Sequence, residues 1–474
     1  MTVLSPGQAR ALEQIRDWYN RQPRNWVHCH GGSDCPPFPH THGQGIAPIR
    51  ALGGLAGTGK TTLMKQLDLE IEGEAVFGTP THKAANVLRR KLGGKQAERV
   101  RTYHSLVYQM MPVYRCSITN HFVSALKDKC ACGMPDACEC PMSFLPCGTG
   151  APHNCQVTQE LKSERRKHLG GHRDIVIIDE SSMLSKEHVE DIRKYGVPVL
   201  LVGDRGQLPP IKDPMNPWTM NPDDELTEIH RQGADSGILQ AAYEVRMKGR
   251  LLRPAYGSPK PDTVLMRRSD PGFPDLLKRF ERLVKRDDPG VDGALIVYTN
   301  ALRAEFNRAY HGEGPVREGD RVVALGGQAY PVDVVEMTDD GTKFRLLGQM
   351  VTAHNGMTGE VTYVKHRGIV TEMVVKLDDH PLAKPDAPVH IYVGACPTAQ
   401  FGAERDLPFN SPERPRHSHP WDYAYALTAH KAQGSEFSKI IVVDQRPHPQ
   451  MYRQWMYTAI TRAKEAAVIV DWFN

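Results

Sequence analysis

Gly54-Leu-Ala-Gly57-Thr-Gly59-Lys60-Thr61 is a complete G-x-x-x-x-G-K-[ST] phosphate loop, preceded by the mostly apolar residues 49–52 and followed by a helix-like stretch. That flanking strand and helix turn a short motif into a nucleotide site. Gly54, Gly57 and Gly59 let the backbone curl so that its N–H groups converge on the β- and γ-phosphates of ATP. Lys60 adds a point positive charge, and Thr61, with Thr62 beside it, offers a hydroxyl to Mg²⁺. The loop does not say what hydrolysis drives, because unrelated machines share it.

Downstream, Ile175-Val-Ile-Ile178 is an apolar run that predicts a buried parallel strand ending in Asp179-Glu180. Carboxylates at the C-terminal end of such a strand sit beside the phosphates. Asp179 is placed to hold Mg²⁺ through its water shell, and Glu180 to orient or deprotonate the attacking water. Taken alone, the pair would read as an acidic helix start. A second apolar run, Val199-Leu-Leu-Val202, leads into Gly203-Asp204-Arg-Gly-Gln207, where Gln207 reaches the γ-phosphate or its water. Arg231, in His230-Arg231-Gln232, and Arg462, in Thr461-Arg462, are candidate transition-state groups. Among 59 lysines and arginines a single arginine is by default a solvated surface charge, so both rest on motif context.

The series Gln8, the phosphate loop, Thr79-Pro-Thr81-His82-Lys83-Ala-Ala-Asn86, Thr102-Tyr-His104-Ser, Asp179-Glu180, Gly203-Asp204 with Gln207, His230-Arg231-Gln232, Thr428-Ala-His430-Lys431-Ala-Gln-Gly-Ser-Glu436-Phe and Thr461-Arg462 resembles the motif set of superfamily 1 (1B) DNA helicases of the RecD/Dda type. The resemblance runs in the family's order along nearly the whole chain, leaving the insertions uncovered. It implies an α/β fold with two RecA-like domains, ATP in the cleft between them and single-stranded DNA across both. It also implies ATP-driven movement along single strands, with 5′→3′ polarity, and unwinding of forked duplex. Residue by residue, Gln8 looks like the adenine-reading glutamine. Thr81, His82 and Lys83, then Thr102 and His104, look like DNA-backbone contacts of the first domain. Thr299-Asn300, Thr428, His430 and Lys431 look like those of the second. Glu436 looks like a ribose or inter-domain contact. Such contacts position a strand without reading its sequence.

The motif positions divide the chain. Residues 1–105 and 172–235 are expected to form the first RecA-like domain, and 236–312 with 405–474 the second. Residues 106–171 would be a Cys-rich insertion in the first. Residues 313–404, with turn signals at Gly319-Asp320 and Asn355-Gly356 among alternating apolar residues, would be an SH3-like β-barrel insertion in the second.

Six of the ten cysteines lie in the first insertion, as Cys130, Cys132, Cys138, Cys140, Cys147 and Cys155. In a reducing compartment such thiol density points to metal, either zinc or an iron–sulfur cluster, although the C-x-C spacing departs from the commoner C-x₂-C knuckle and leaves a metal-free reading open. The resemblance implies that this insertion holds the pin that splits the duplex, so a metal-stapled pin is the expectation.

Composition sets outer limits. The chain has 474 residues, 40% hydrophobic and 24% charged, which is ordinary for a globular protein of about three domains. A net charge of +4 suits a local basic channel better than a polycationic coat. No apolar stretch approaches the roughly 20 residues of a membrane span, and the start lacks a signal-peptide pattern, so a cytoplasmic, monomeric protein is expected. Replication or recombination proteins are the expected partners. Two other functions use the same motifs: a DNA-stimulated ATPase that translocates or strips proteins without unwinding, and an ATP-controlled nucleic-acid loading module.

Overall fold

A computed structural model describes residues 4–22, 46–116, 122–123, 157–166, 169, 174–211, 213–228, 236–250, 262–284, 293–325, 330–338, 343–353, 355–378, 388–405, 407, 411 and 418–473. Its first sheet has six parallel strands in the order Val100–Thr102, Ala75–Thr79, Ile175–Ile178, Val199–Gly203, Ile49–Gly54 and Asp224–Leu226. The two apolar runs expected as buried strands are both here, and every residue of Ile175–Ile178 and Val199–Gly203 is buried. A strand covered on both faces has no polar side, which is why it reads as a continuous apolar run. Helices Pro6–Asn20, Lys60–Glu70 and His82–Leu92 pack one face around Leu63, Leu67, Phe77 and Leu88. Tyr103–Val107 and Lys186–Arg193 cover the other face around Tyr103, Val189 and Ile192.

The second sheet has five parallel strands, ordered Thr263–Arg267, Ala463–Asp471, Phe437–Asp444, Gly293–Val297 and Ala426–Thr428. Helices Gly237–Lys248 and Pro449–Ile460 pack together on it through Ile238, Ala242, Trp455 and Met456. Two parallel sheets with flanking helices are the α/β architecture expected for a pair of RecA-like units.

Two antiparallel sheets are set into this frame. One has seven strands, ordered Phe344–Ala353, Tyr330–Met337, His390–Pro397, Val370–Leu377, Thr358–Arg367, Arg321–Ala324 and Trp421–Tyr423. Its last strand lies in the stretch expected to belong to the second RecA-like domain, so the insertion borrows chain from beyond residue 404. Among the described residues no pairing joins its two end strands. The expected β insertion is therefore present as an antiparallel sheet, and closure into an SH3-like barrel is not part of its pairing. Buried polar contacts fasten it to helix Asn300–His311, Arg303 to Asp422 and His311 Nε2 to Asp320 Oδ2 at 3.0 Å, and Asp320 Oδ1 also accepts from the Tyr425 hydroxyl at 2.6 Å.

The other antiparallel sheet has three strands, with Tyr108–Cys116 between Phe122–Val123 and Val157–Arg165. Its main ladder runs in unbroken register from Tyr108 opposite Arg165 to Cys116 opposite Val157. It forms the stem of the first insertion. Cys130, Cys132, Cys138, Cys140, Cys147 and Cys155 lie outside the described residues, as do the histidines and cysteines between residues 28 and 42. Among the described residues no helix is long and apolar enough to cross a membrane.

Candidate active site

Loops at the C-terminal ends of the first sheet's strands face the second sheet across a cavity of about 580 Å³. The first sheet contributes Gln8, Gly57, Gly59, Lys60, Thr61, Thr62, Asp179, Glu180 and Gln207 to its wall, and the second contributes Gly434, Glu436, Thr461 and Arg462. Groups as far apart in sequence as Gln8 and Arg462 thus meet in one cleft, where ligands of open α/β sheets bind.

The phosphate loop is held open from within. Lys60 Nζ donates to Gly54 O at 2.8 Å and to Leu55 O at 2.9 Å, so the ammonium spans the loop's first turn. Gly59 caps the following helix with φ of +79°, and a Cβ there would lie 2.0 Å from Gln8 Nε2. Only glycine satisfies both conditions. Gln8 is buried and its amide is engaged at both ends: Nε2 donates to Thr58 O at 2.9 Å, and Oε1 accepts from Ser5 N at 3.0 Å. One N–H and one oxygen lone pair remain for a further ligand.

Asp179 and Glu180 follow the buried strand on a tight turn. Glu180 has φ 55° and ψ 38°, a left-handed conformation that costs a non-glycine residue about 1–3 kcal/mol and is typical of functional turns. Asn216 braces this turn from behind, donating to Ser181 O at 2.8 Å and to Leu184 O at 3.0 Å. Burial, with the adjacent Glu180 carboxylate adding to it and Lys60 opposing it, pushes the Asp179 carboxyl up to about 6. A carboxylate so placed gains from a cation, and with the Thr61 hydroxyl it makes an all-oxygen donor set of the kind Mg²⁺ takes. The residues fit the metal that the motif implies.

The elevated pKa has a sign that can be measured. Because it lies above the ordinary value of 3.8, folding favours the protonated form. The group's stabilising contribution is full below about 4 and is lost as pH rises through about 6. Melting curves of the nucleotide-free, Mg²⁺-free protein and its Asp179→Asn variant should therefore diverge with pH, with the variant relatively more stable at about pH 8 than at about pH 5. A gap that does not change with pH would mean an unperturbed carboxyl.

On the opposite wall Arg462 is 5% exposed. Its guanidinium donates to Thr458 O at 3.1 Å, Ser435 O at 3.3 Å and Thr461 Oγ1 at 3.2 Å, all neutral oxygens, and among the described residues it has no carboxylate partner. Gln207 is buried at the seam, its Oε1 accepting from Gln433 Nε2 at 3.3 Å. Glu436 is bound across the cleft by Lys91 Nζ at 2.6 Å. Both side chains of that pair are partly solvated, so it is worth about 0–1 kcal/mol and does not lock the cleft. Gly434, with φ of +76°, brings its backbone against the first sheet, where a Cβ would lie 2.9 Å from Thr81 Oγ1.

The expected DNA-contact residues lie at or just beyond the C-terminal ends of strands in both sheets. Thr81, Thr102 and Thr299 cap helices, each hydroxyl accepting a backbone N–H at 3.2 Å, from Ala84, Ser105 and Leu302 respectively. Thr428 occupies the equivalent cap position without a side-chain hydrogen bond and is buried. His82 and Lys83 are half-buried on the first turn after Thr81, and Asn300 is exposed on the first turn after Thr299. His104 is exposed within an aromatic group that includes Tyr108 and His188. His430 and Lys431 are half-buried beside Thr428, and burial lowers the His430 pKa, favouring the neutral ring. Arg231 lies outside the described residues.

Three residues that the motif reading did not single out bear on the cleft. Lys91 lines it, and behind it Arg246 and Tyr457 converge on Asp204, Arg246 Nη1 at 2.5 Å from Oδ1 and the Tyr457 hydroxyl at 2.5 Å from Oδ2. Nothing in local periodicity marks them. The one signal was the position of Tyr457 in the same short segment as Arg462.

Residues 44–251 match a family model described as an AAA domain, and residues 423–470 match the UvrD-like helicase C-terminal domain. The ATP-dependent RecD2 DNA helicase of Deinococcus radiodurans is 27% identical over 303 residues, 62% of this chain and 35% of that protein. This match therefore spans about a third of the length of that curated relative. Among solved structures, a Bacteroides Pif1 helicase in complex with ADP-AlF3 and ssDNA aligns at 17% identity over 100% of this chain and 94% of its own, with TM-score 0.44. The Pif1 helicase of Candida albicans aligns at 14% identity over 100% and 95%, with TM-score 0.41.

Proposed function

We propose that this chain is a superfamily 1B DNA helicase of the RecD-like kind, which hydrolyses ATP to move along single-stranded DNA in the 5′→3′ direction and to separate forked duplex; the AAA-domain and UvrD-like helicase C-terminal matches and the RecD2 relative support the reading. One observation carries the proposal: Arg462, buried on the second sheet's side with no carboxylate partner among the described residues, lines the same cavity as Lys60, Asp179 and Glu180 of the first. An arginine delivered from a separate unit makes hydrolysis depend on how the two units sit.

In this reading Lys60 exchanges its loop carbonyls for the β- and γ-phosphates, and Glu180 orients or deprotonates the attacking water while Gln207 holds it in line. Arg462, with Arg231, meets the charge that develops on the γ-phosphate. Mg²⁺ bound with the nucleotide at Thr61 and Asp179 would neutralise phosphate charge. Gln8 serves the adenine with its remaining donor and acceptor. Closure draws Thr81, His82, Lys83, Thr102 and His104 toward Thr299, Asn300, Thr428, His430 and Lys431, and reopening releases one grip before the other. The nucleotide thus biases the population of two arrangements and so gives motion a direction.

The proposal divides the chain as the motifs do, with units 1–105 plus 172–235 and 236–312 plus 405–474. It gives the 106–171 insertion the role of strand-separating pin and the antiparallel insertion that of an SH3-like module. A zinc or iron–sulfur staple at Cys130 through Cys155 is supported by thiol density.

Matched duplexes bearing either a 5′ or a 3′ single-stranded tail, incubated with Mg²⁺ and ATP, test class and polarity together. Opening of the 5′-tailed substrate alone is the expected result. Opening of the 3′-tailed substrate alone would reverse the polarity. Hydrolysis stimulated by single strands with neither duplex opened would favour a translocase or protein-stripping ATPase.

A further inference from the structure

Helix Pro449–Ile460 reaches the phosphate loop by a route that the nucleotide chemistry above does not use. Tyr457 is 2% exposed, and its phenol oxygen lies between two groups of the first sheet's loops. It accepts from Ala56 N at 2.9 Å and donates to Asp204 Oδ2 at 2.5 Å. These directions are forced, because a phenol has one proton, a carboxylate only accepts and a backbone N–H only donates. Burial, with the Asp204 charge adding to it, holds the phenol well above its ordinary pKa, so the proton stays on oxygen.

Asp204 is fixed in turn by Arg246 Nη1 at 2.5 Å and by Gly206 N at 2.9 Å, and the Arg246 guanidinium lies 5.4 Å from the centroid of the Tyr457 ring. The next residue extends the tie. Thr458 Oγ1 accepts from Leu208 N at 2.9 Å, and Thr458 O accepts from Arg462 Nε at 3.1 Å. Hydrogen bonds at Tyr457 and at Thr458, joined by the backbone between the two residues, therefore link the phosphate-loop backbone to the cleft arginine.

We propose that Tyr457 is a positioning residue that couples the phosphate loop to Arg462, its hydroxyl tying the Ala56 amide and Asp204 to the helix that ends beside the arginine. The inference rests on the nucleotide-cleft reading and deepens it. A loop that shifts on taking up a γ-phosphate carries Ala56 with it. A buried hydrogen bond to an ionised acceptor is short and directional, and separating it without replacement leaves an orphaned N–H and an under-solvated carboxylate. The helix end is thus constrained to follow the loop, and Arg462 arrives in register with the phosphate.

Tyr457→Phe tests this, because it keeps the ring and its contact with Arg246 and removes only the hydroxyl. In the full chain the expected result is a kcat for ATP hydrolysis lowered about 10–100-fold, the size of a lost hydrogen bond to a charged group, with KM for ATP within about threefold of wild type. Stimulation by single-stranded DNA should fall with kcat, and Tm should stay within about 4 °C. Adding Tyr457→Phe to an Asp204→Asn background should then cost far less than it does alone, because the two residues act as a unit. A wild-type protein that responds to single strands and a Phe variant with the same kcat and the same stimulation would overturn the inference. So would a loss confined to KM or Tm, which marks a merely structural tyrosine. A wild-type protein that does not hydrolyse ATP would overturn the cleft reading itself, a different failure.

Discussion

Lys60→Ala is expected to lower kcat for ATP hydrolysis by about three orders of magnitude, at the upper end of what removal of a single transition-state donor costs. Lys60 is the one phosphate-loop residue whose charge lies over the loop's own carbonyls, Gly54 O and Leu55 O, with a flexible stem that can turn to phosphate. Its removal takes away the cation that offsets phosphate charge and leaves two carbonyls facing the cleft, where water can solvate them. The fold should therefore persist. Helix Lys60–Glu70 keeps its buried Leu63, Met64 and Leu67, and its N-cap glycine is unaffected. Steady-state hydrolysis with and without single-stranded DNA, alongside a DNA-binding titration, separates the outcomes. Retained DNA binding with no turnover is the expected pair. Turnover within about tenfold of wild type would remove Lys60 from the chemistry. Loss of DNA binding in a folded variant would mean that the grip on DNA needs an intact nucleotide site.

The parts of this site that were legible in the sequence share a physical cause. Ile175–Ile178, Val199–Gly203 and Gly293–Val297 are strands buried within parallel sheets, and burial on both faces writes itself as an uninterrupted apolar run. The phosphate loop, Asp179 and Glu180 were legible because backbone curvature and strand ends demand particular residues at fixed spacing. What escaped depends on partners far away in the chain. Val157–Arg165 contains Gln159, Glu160, Lys162, Ser163 and Glu164, and only its ladder with Tyr108–Cys116 makes it a strand. Trp421–Tyr423 reads with its sequence neighbours as part of the second RecA-like domain, whereas pairing with Arg321–Ala324 takes it into the antiparallel sheet. The left-handed backbone of Glu180 has no marker, because a glutamate there is tolerated for its position and not for its propensity. Lys91 to Glu436 and Tyr457 to Asp204 are single contacts across a cleft, and a single contact has no period to read.

Arg462→Ala is the second large effect, and its value lies in setting stability against activity. The guanidinium is buried among neutral oxygens with no carboxylate partner among the described residues, an arrangement that is costly for a cation in a folded protein. A structural arginine would be paired. One kept unpaired at the mouth of a phosphate site is poised for an anion that arrives later. Removing it should therefore lower kcat by about 10³–10⁵, the range for arginines that stabilise phosphoryl-transfer charge. It should leave KM for ATP within about tenfold, because the interaction strengthens in the transition state. Arg462→Lys should recover little, since an ammonium lacks the planar fork that reaches a phosphate while keeping the Thr458 and Ser435 carbonyls. Melting curves supply the second half of the argument. If the arginine serves the phosphate, Arg462→Met should melt no lower than wild type without nucleotide, and should lose the added stability that wild type gains with a non-hydrolysable ATP analogue and Mg²⁺. A variant that melts well below wild type without nucleotide yet keeps most of its turnover would identify Arg462 as a strut of the second sheet and leave the γ-phosphate charge to other residues.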